Sequence, residues 1–358
     1  MRTLRTVILI AILSVALAET VARAVPAIPP MVANLEPERV WEDRFLDMMR
    51  GDRNIIMGGF HRPHPTRGWT VAPHAHETVD GFSYTTNERA YRSLSAYTPD
   101  PAKYTVLAIG DSFTFGIDTN DTATWPYLLQ QRDSRLNVIN LGVGGYGIDQ
   151  MYVTLRETIH EYRPRLVIVA FVGDDVRRAF LSFRDYKKPR FVLRQGLLQL
   201  MNTPVGAPDE VIREIEERRR SRLERSYTAR ILRGITRRAL ESSAPPADVP
   251  LGRGAIELVT RLFDEMHDLT RREGAEFLLV YLSYGEGLFD ASLVEEGEEF
   301  LRRYGAERPV ATLDMRPFFL QPQRKDWVKG HYQARENLVV SEVIRARILP
   351  LISRSRGY

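Results

Sequence analysis

The stretch Val106 to Gly116, VLAIGDSFTFG, places an acid and a hydroxyl directly after an apolar run. Gly110 allows the sharp bend that a chain makes where a strand ends. Ser112 then sits at the strand's carboxyl end with its hydroxyl exposed and its own N–H able to face a developing oxyanion. That arrangement suits a nucleophile. The plain alternative is a serine that only caps the helix that follows, and Gly-Asp-Ser alone does not separate the two.

Three further stretches carry polar groups at similar places. Asn140 to Gln150, NLGVGGYGIDQ, is a glycine-rich turn after an apolar run, and Ala170 to Val176, AFVGDDV, ends another run in Gly173-Asp174-Asp175. Lys325 to Ile344, KDWVKGHYQARENLVVSEVI, sets His331 just before an amphipathic segment. The glycines of VGGYG lack the lysine and spacing of a P-loop, so a phosphate cradle is discounted.

The elements that must position these residues alternate. Short β-branched runs over Tyr104–Gly110, Leu136–Gly142, Arg165–Gly173, Glu276–Gly285 and Pro309–Met315 read as buried strands. Helices are expected over about Thr122–Gln130, Ile148–Tyr162 and Ala255–Glu273, with another after His331. Ile148, Met151, Tyr152, Leu155 and Ile159 follow the helical period, as do Val259, Leu262, Phe263, Met266 and Leu269. The alternation predicts an α/β fold, a doubly wound, flavodoxin-like, mostly parallel five-stranded sheet with helices on both faces. Such sheets place their sites at the carboxyl ends of the strands. Residues 25–103 form an irregular N-terminal segment rich in Pro, Gly, His and Tyr, and residues 104–358 the α/β domain, interrupted by a helical insertion at about 177–250.

Together these blocks resemble the SGNH hydrolases, also called the GDSL esterase/lipase superfamily, from about Tyr104 to the C-terminus with the insertion left out. The stretches NERAYRS (Asn87 to Ser93) and KKPRFVLRQGLLQLMNTPV (Lys187 to Val205) are similar to segments of exported bacterial members, some of which handle acyl groups on cell-surface polysaccharide. The resemblance implies Ser112 as nucleophile, His331 as general base, and an oxyanion hole from the N–H groups of Ser112 and Gly145. It implies an exported serine acyl-ester hydrolase or acyltransferase acting on acylated carbohydrate or another small ester, without cofactor or metal. Two positions depart from the pattern. The third oxyanion donor, an asparagine amide in the family, falls on Asp174, which when ionised offers only acceptors. Loss of one such donor costs about 2.7–4 kcal/mol. The acid three residues before the histidine falls on Val328; Asp326, five residues before His331, could orient it if the intervening loop bends, or a backbone carbonyl could fix the imidazole tautomer. These departures keep open a second class, a catalytically impaired glycan- or protein-binding relative.

Composition sets the outer bounds. The chain of 358 residues has 44% hydrophobic and 27% charged residues, the balance of a globular protein. With no cysteine, disulfides, zinc-thiolate sites and a thiol nucleophile are excluded. A net charge of +4 gives no case for nucleic acid. Arg2 and Arg5 precede the apolar run Val7–Ala18, which reads as an export signal within residues 1–24, or as an uncleaved anchor facing the periplasm. His74-Ala75-His76 suits a polar loop better than a metal site. Arg213 to Arg238 holds ten arginines and four glutamates. It reads as a solvated helical face, with contact to an anionic glycan or membrane as the sharper alternative.

Overall fold

A computed structural model describes residues 2–26, 32, 36–50, 61–221, 226–240, 253–282, 291–319, 321, 324, 327 and 330–354. Its centre is a five-stranded parallel sheet built from β1 (Tyr104–Gly110), β2 (Leu136–Gly142), β3 (Leu166–Phe171), β4 (Glu276–Tyr281) and β5 (Ala311–Asp314), in the order β5-β4-β3-β1-β2. All five expected strands are in it. The chain runs from β1 outward to β2, then crosses to β3 on the other side of β1. The crevice at that reversal lies where the chains leave β1, β2 and β3, which carry Ser112, Gly145 and Asp174.

Alternating residues of the strands feed two cores, so helices are required on both faces. Leu107, Ile109, Val167, Val169 and Phe171 pack with helix α2 (Ile148–Tyr162) and helix α4 (Arg253–Arg272). Val106, Ala108, Ile168 and Ala170 pack with helix α1 (Trp125–Arg132) and the C-terminal helix α6 (Ala334–Arg354). Each large apolar side chain so buried contributes about 1.5–3 kcal/mol. Helix α2 keeps the expected boundaries. Helix α1 starts three residues later than expected because Thr124 accepts the Tyr127 N–H and Pro126 occupies the first turn, while Asp121–Ala123 forms a separate 3-10 turn. A single-turn-and-a-half helix α3 (Gly173–Arg178) follows β3, and helix α5 (Ala291–Glu307), which the sequence pattern leaves unassigned, crosses from β4 to β5.

The segment before the sheet carries a helix, Pro37–Arg50, and two antiparallel ribbons, His61–His64 with Gly68–Val71 and His76–Val79 with Phe82–Thr85. The first ribbon is tied to α2. Gln150 Nε2 donates to the Arg67 carbonyl at 2.8 Å, and Arg67 pairs with Glu157 at 3.0 Å. The insertion contains a short ribbon, Phe183–Arg184 with Tyr186–Lys187, and a longer one, Arg190–Arg194 with Leu197–Met201, then helices Pro208–Arg220 and Tyr227–Leu240. Four of its arginines pair with acids of the preceding segment. Arg218 and Arg219 pair with Glu42, Arg219 also with Asp43, and Arg230 and Arg233 with Glu36. Residues 241–252, including the linker-like stretch, lie outside the described residues.

Helix Arg2–Ala24 leaves Val7, Leu9, Ile10, Leu13 and Leu17 exposed. Among the described residues no helix is long and apolar enough to cross a membrane.

Candidate active site

Ser112 opens a single helical turn, Ser112–Phe115, at the end of β1, and Asp111 caps it by accepting the Phe113 N–H at 2.9 Å. The turn lies directly on the end of β2. A Cβ on Gly142 would come within 2.3 Å of the Phe115 nitrogen, so only glycine lets the two approach. The turn closes at Gly116, whose backbone is left-handed (φ +91°), and the chain swings back so that Asp118 returns toward the serine.

His331 arrives from the loop before α6 and rests against the Phe113 ring, with ring centroids 5.0 Å apart. Its Nε2 lies 2.9 Å from Ser112 Oγ. Its Nδ1 lies 2.9 Å from Asp118 Oδ2. A carboxylate accepts only, so the proton sits on Nδ1 and Nε2 is free to accept the serine hydroxyl. The bond from His331 holds the Asp118 carboxyl below the usual carboxylate range, against the opposing effect of burial. Hydroxyl, imidazole and carboxylate thus form one hydrogen-bonded chain, the geometry in which a serine is activated.

The carboxylate on His331 Nδ1 is that of Asp118, from the loop that follows Ser112. The expected Asp326 lies outside the described residues. The Gly116 turn leads the chain back to place Asp118 there, and family spacing near the histidine carried no sign of it. A signal was present: an acid six residues past the serine and two past a glycine.

Gly145 lies in the turn after β2 with φ +79°. The turn is fixed on both sides. Val143 N–H donates to the Gly110 carbonyl at 3.1 Å, two residues before Ser112. Trp69, fully buried on the first ribbon, donates its indole N–H to the Gly144 carbonyl at 3.0 Å, and Tyr146 returns its hydroxyl to the Trp69 carbonyl at 2.5 Å. In a trans peptide the carbonyl and the following N–H point in opposite directions. With the Gly144 carbonyl aimed at Trp69, the Gly145 N–H is aimed away from it.

Asp174 is one of three carboxylates around a buried guanidinium. Arg178 Nη2 lies 2.6 Å from Asp174 Oδ2, and Arg178 Nη1 lies 2.6 Å from Asp175 Oδ1 and 3.3 Å from Asp111 Oδ2. Nη1 also donates to the Tyr146 carbonyl at 3.3 Å, joining the three turns. Burial pushes the Asp175 carboxyl well up, aided by Asp111, with Arg178 opposing. Arg178 was not legible as a site residue, since no local pattern marks an arginine that three carboxylates will surround.

His74 and His76 bring no third ligand: among the described residues no group of three or more His, Asp or Glu could hold a metal ion. His76 Nδ1 instead meets Thr85 Oγ1 at 2.9 Å.

No family model matches the chain. Among curated proteins, thioesterase 1/protease 1/lysophospholipase L1 of Escherichia coli K12 is 32% identical over 91 residues, a match covering 25% of this chain and 44% of that protein. The chain thus matches less than half the length of this relative. Solved structures with a similar arrangement include a member of the lipolytic protein G-D-S-L family from Veillonella parvula DSM 2008 (12% identity, TM-score 0.39, covering 70% of this chain and 98% of that one). Others are an acetyl xylan esterase (14%, TM-score 0.39, 68% and 99%) and a family two carbohydrate esterase from Clostridium thermocellum in complex with cellohexaose (12%, TM-score 0.38, 72% and 67%).

Proposed function

We propose that this chain is a serine ester hydrolase working through an acyl-enzyme. The observation that carries this is the chain Ser112 Oγ–His331 Nε2–Asp118 Oδ2, both contacts 2.9 Å. His331 takes the hydroxyl proton as Ser112 Oγ attacks the ester carbonyl. The tetrahedral oxyanion is held by the N–H groups of Ser112 and Gly145, the latter aimed by its Trp69-anchored peptide. His331 then gives the proton to the departing alkoxide, and the acyl group stays on Ser112. Water, deprotonated by the same imidazole, releases the acid. Asp174 does not donate in this scheme. Its charge is partly offset by Arg178, which it shares with Asp111 and Asp175.

The finer reading is an O-acyl carbohydrate as the ester, with a sugar hydroxyl as the alternative acceptor in place of water. It is supported by the similarity of Asn87–Ser93 and Lys187–Val205 to exported bacterial members. An export role for the helix Arg2–Ala24, with contact to the membrane surface through its exposed apolar side chains, belongs to the same reading.

The test is covalent labelling with a fluorophosphonate probe, read by mass spectrometry of the Ser112 peptide. Labelling at Ser112, abolished in Ser112→Ala and His331→Ala, is the expected result. A folded protein that resists the probe overturns the hydrolase reading and favours the binding module. Release of acetate against transfer to added oligosaccharide then separates hydrolase from transferase.

A further inference from the structure

We propose that Arg92 is a positioning residue for Asp118, so that the segment preceding the sheet is a working part of the active site. The proposal rests on the serine-hydrolase reading above only for its activity readout.

Asp118 needs external support. Its side chain is 41% exposed, its backbone is left-handed (φ +60°), and it lies in the loop between the nucleophile turn and the 3-10 turn at Asp121. A carboxylate so placed does not by itself hold one position against an imidazole. Arg92 supplies the support. The side chain is almost fully buried, with its guanidinium 4.6 Å from the Tyr84 ring centroid and 5.1 Å from that of Phe115. Its donors go to both sides of Asp118. Nη1 reaches the carbonyls of Phe115 (3.0 Å) and Gly116 before it, and Nη2 reaches the Thr119 carbonyl after it at 2.7 Å. Nε binds Asp121 Oδ1 at 2.8 Å, and Nη2 also binds the Ser83 carbonyl at 2.7 Å. The five N–H groups of a guanidinium lie in one plane in fixed directions, so satisfying five acceptors fixes the loop's path as well as its neutrality.

The second ribbon completes the hold. Asp118 N–H donates to the Tyr84 hydroxyl at 3.0 Å. Ser83 and Thr85 N–H groups donate to Asn120 Oδ1 (2.9 Å) and Asp121 Oδ1 (3.0 Å). Apart from the Ser83 carbonyl, every acceptor of Arg92 lies between Phe115 and Asp121, on the stretch carrying Asp118. An arginine serving only to fill space would have no reason to bracket that residue from both sides.

The test compares Arg92→Lys, Tyr84→Phe and Asp118→Asn, singly and combined, in the full-length protein. Lysine keeps the charge and loses the planar fork. Displacement of a reacting group by about 1 Å costs on the order of 100-fold. Arg92→Lys should therefore lower kcat by roughly 10- to 100-fold with KM within about threefold. In the Asp118→Asn background it should cost nothing further, because both changes break one link. Independent losses that multiply overturn the proposal, as does wild-type kcat in folded Arg92→Lys. Should Arg92→Lys not fold, Tyr84→Phe carries the same comparison, and an unchanged kcat there overturns it. A second readout needs no turnover: the low-field Nδ1 proton resonance of His331, lost in Asp118→Asn, should weaken in Arg92→Lys or Tyr84→Phe. If wild-type protein has no esterase activity, the functional reading fails, and this resonance alone decides the positioning role, its persistence unchanged in both variants being the overturning result.

Discussion

Asp118 and His331 are 213 residues apart in the chain, yet Oδ2 of one lies 2.9 Å from Nδ1 of the other. Replacing the carboxylate by an amide keeps the shape but lets the imidazole take the wrong tautomer. Asp118→Asn should lower kcat by about 10²–10⁴ with little change in KM, as for the orienting acid of other serine triads. Asp326→Asn should leave kcat within about threefold. Steady-state kinetics on a chromogenic acetyl ester decide between the two acids.

The guanidinium at Arg178 has a different weight. It is the cation shared by Asp111, Asp174 and Asp175. Removing it leaves buried negative charge without a partner, which costs about 3–5 kcal/mol. Arg178→Met should therefore show a large loss of stability in urea unfolding, smaller at acid pH where the carboxyls protonate. A stability equal to wild type at neutral pH contradicts this.

Trp69→Phe should retain the fold, since an aromatic ring still fills the site against Tyr146, with which Trp69 makes an edge contact at 5.6 Å. What it loses is the bond that orients the Gly144–Gly145 peptide. Loss of one oxyanion donor costs about 10²–10³ in kcat, and loosening rather than deleting it should cost about 10-fold, with KM preserved. A kcat unchanged from wild type removes Gly145 from the oxyanion hole.

His64 sets a pH dependence. Burial, then the neighbouring Arg67 cation, lower its pKa from 6.5 to about 4. The unfolded chain thus takes up a proton below pH 6.5 that the folded chain refuses until about 4. The stability this site contributes is complete above 6.5 and is lost as pH falls through that window. The side chain is only half-buried, so the effect is modest. Melting temperatures of wild type and His64→Gln should converge in slope above pH 6.5 and diverge below it, the wild type falling faster.

Much of this was legible because the signals were local. Runs such as Leu166–Phe171 are apolar on both sides, as a strand covered by helices must be. In α2 the apolar residues return every three or four positions, and its boundaries followed from that alone. Ser112 stood at the end of such an element, and the resemblance to the SGNH hydrolases singled it out together with Gly145 and His331. Asp118 was hidden because its position depends on Arg92, 26 residues earlier, and no periodicity reports a side chain that braces a loop. The ribbons at 61–85 have strands of four residues, too short for alternation to stand out among His, Pro and Gly. Arg218, Arg219, Arg230 and Arg233 looked solvated because their partners, Glu36, Glu42 and Asp43, lie far back in the chain.

The indole of Trp69 also offers an optical consequence. Its emission depends on the polarity and rigidity of its surroundings, and those surroundings are the peptide next to the nucleophile. Any molecule that shifts that peptide on docking must change the fluorescence of a ring it never touches, so the protein carries its own dye for watching the pocket fill.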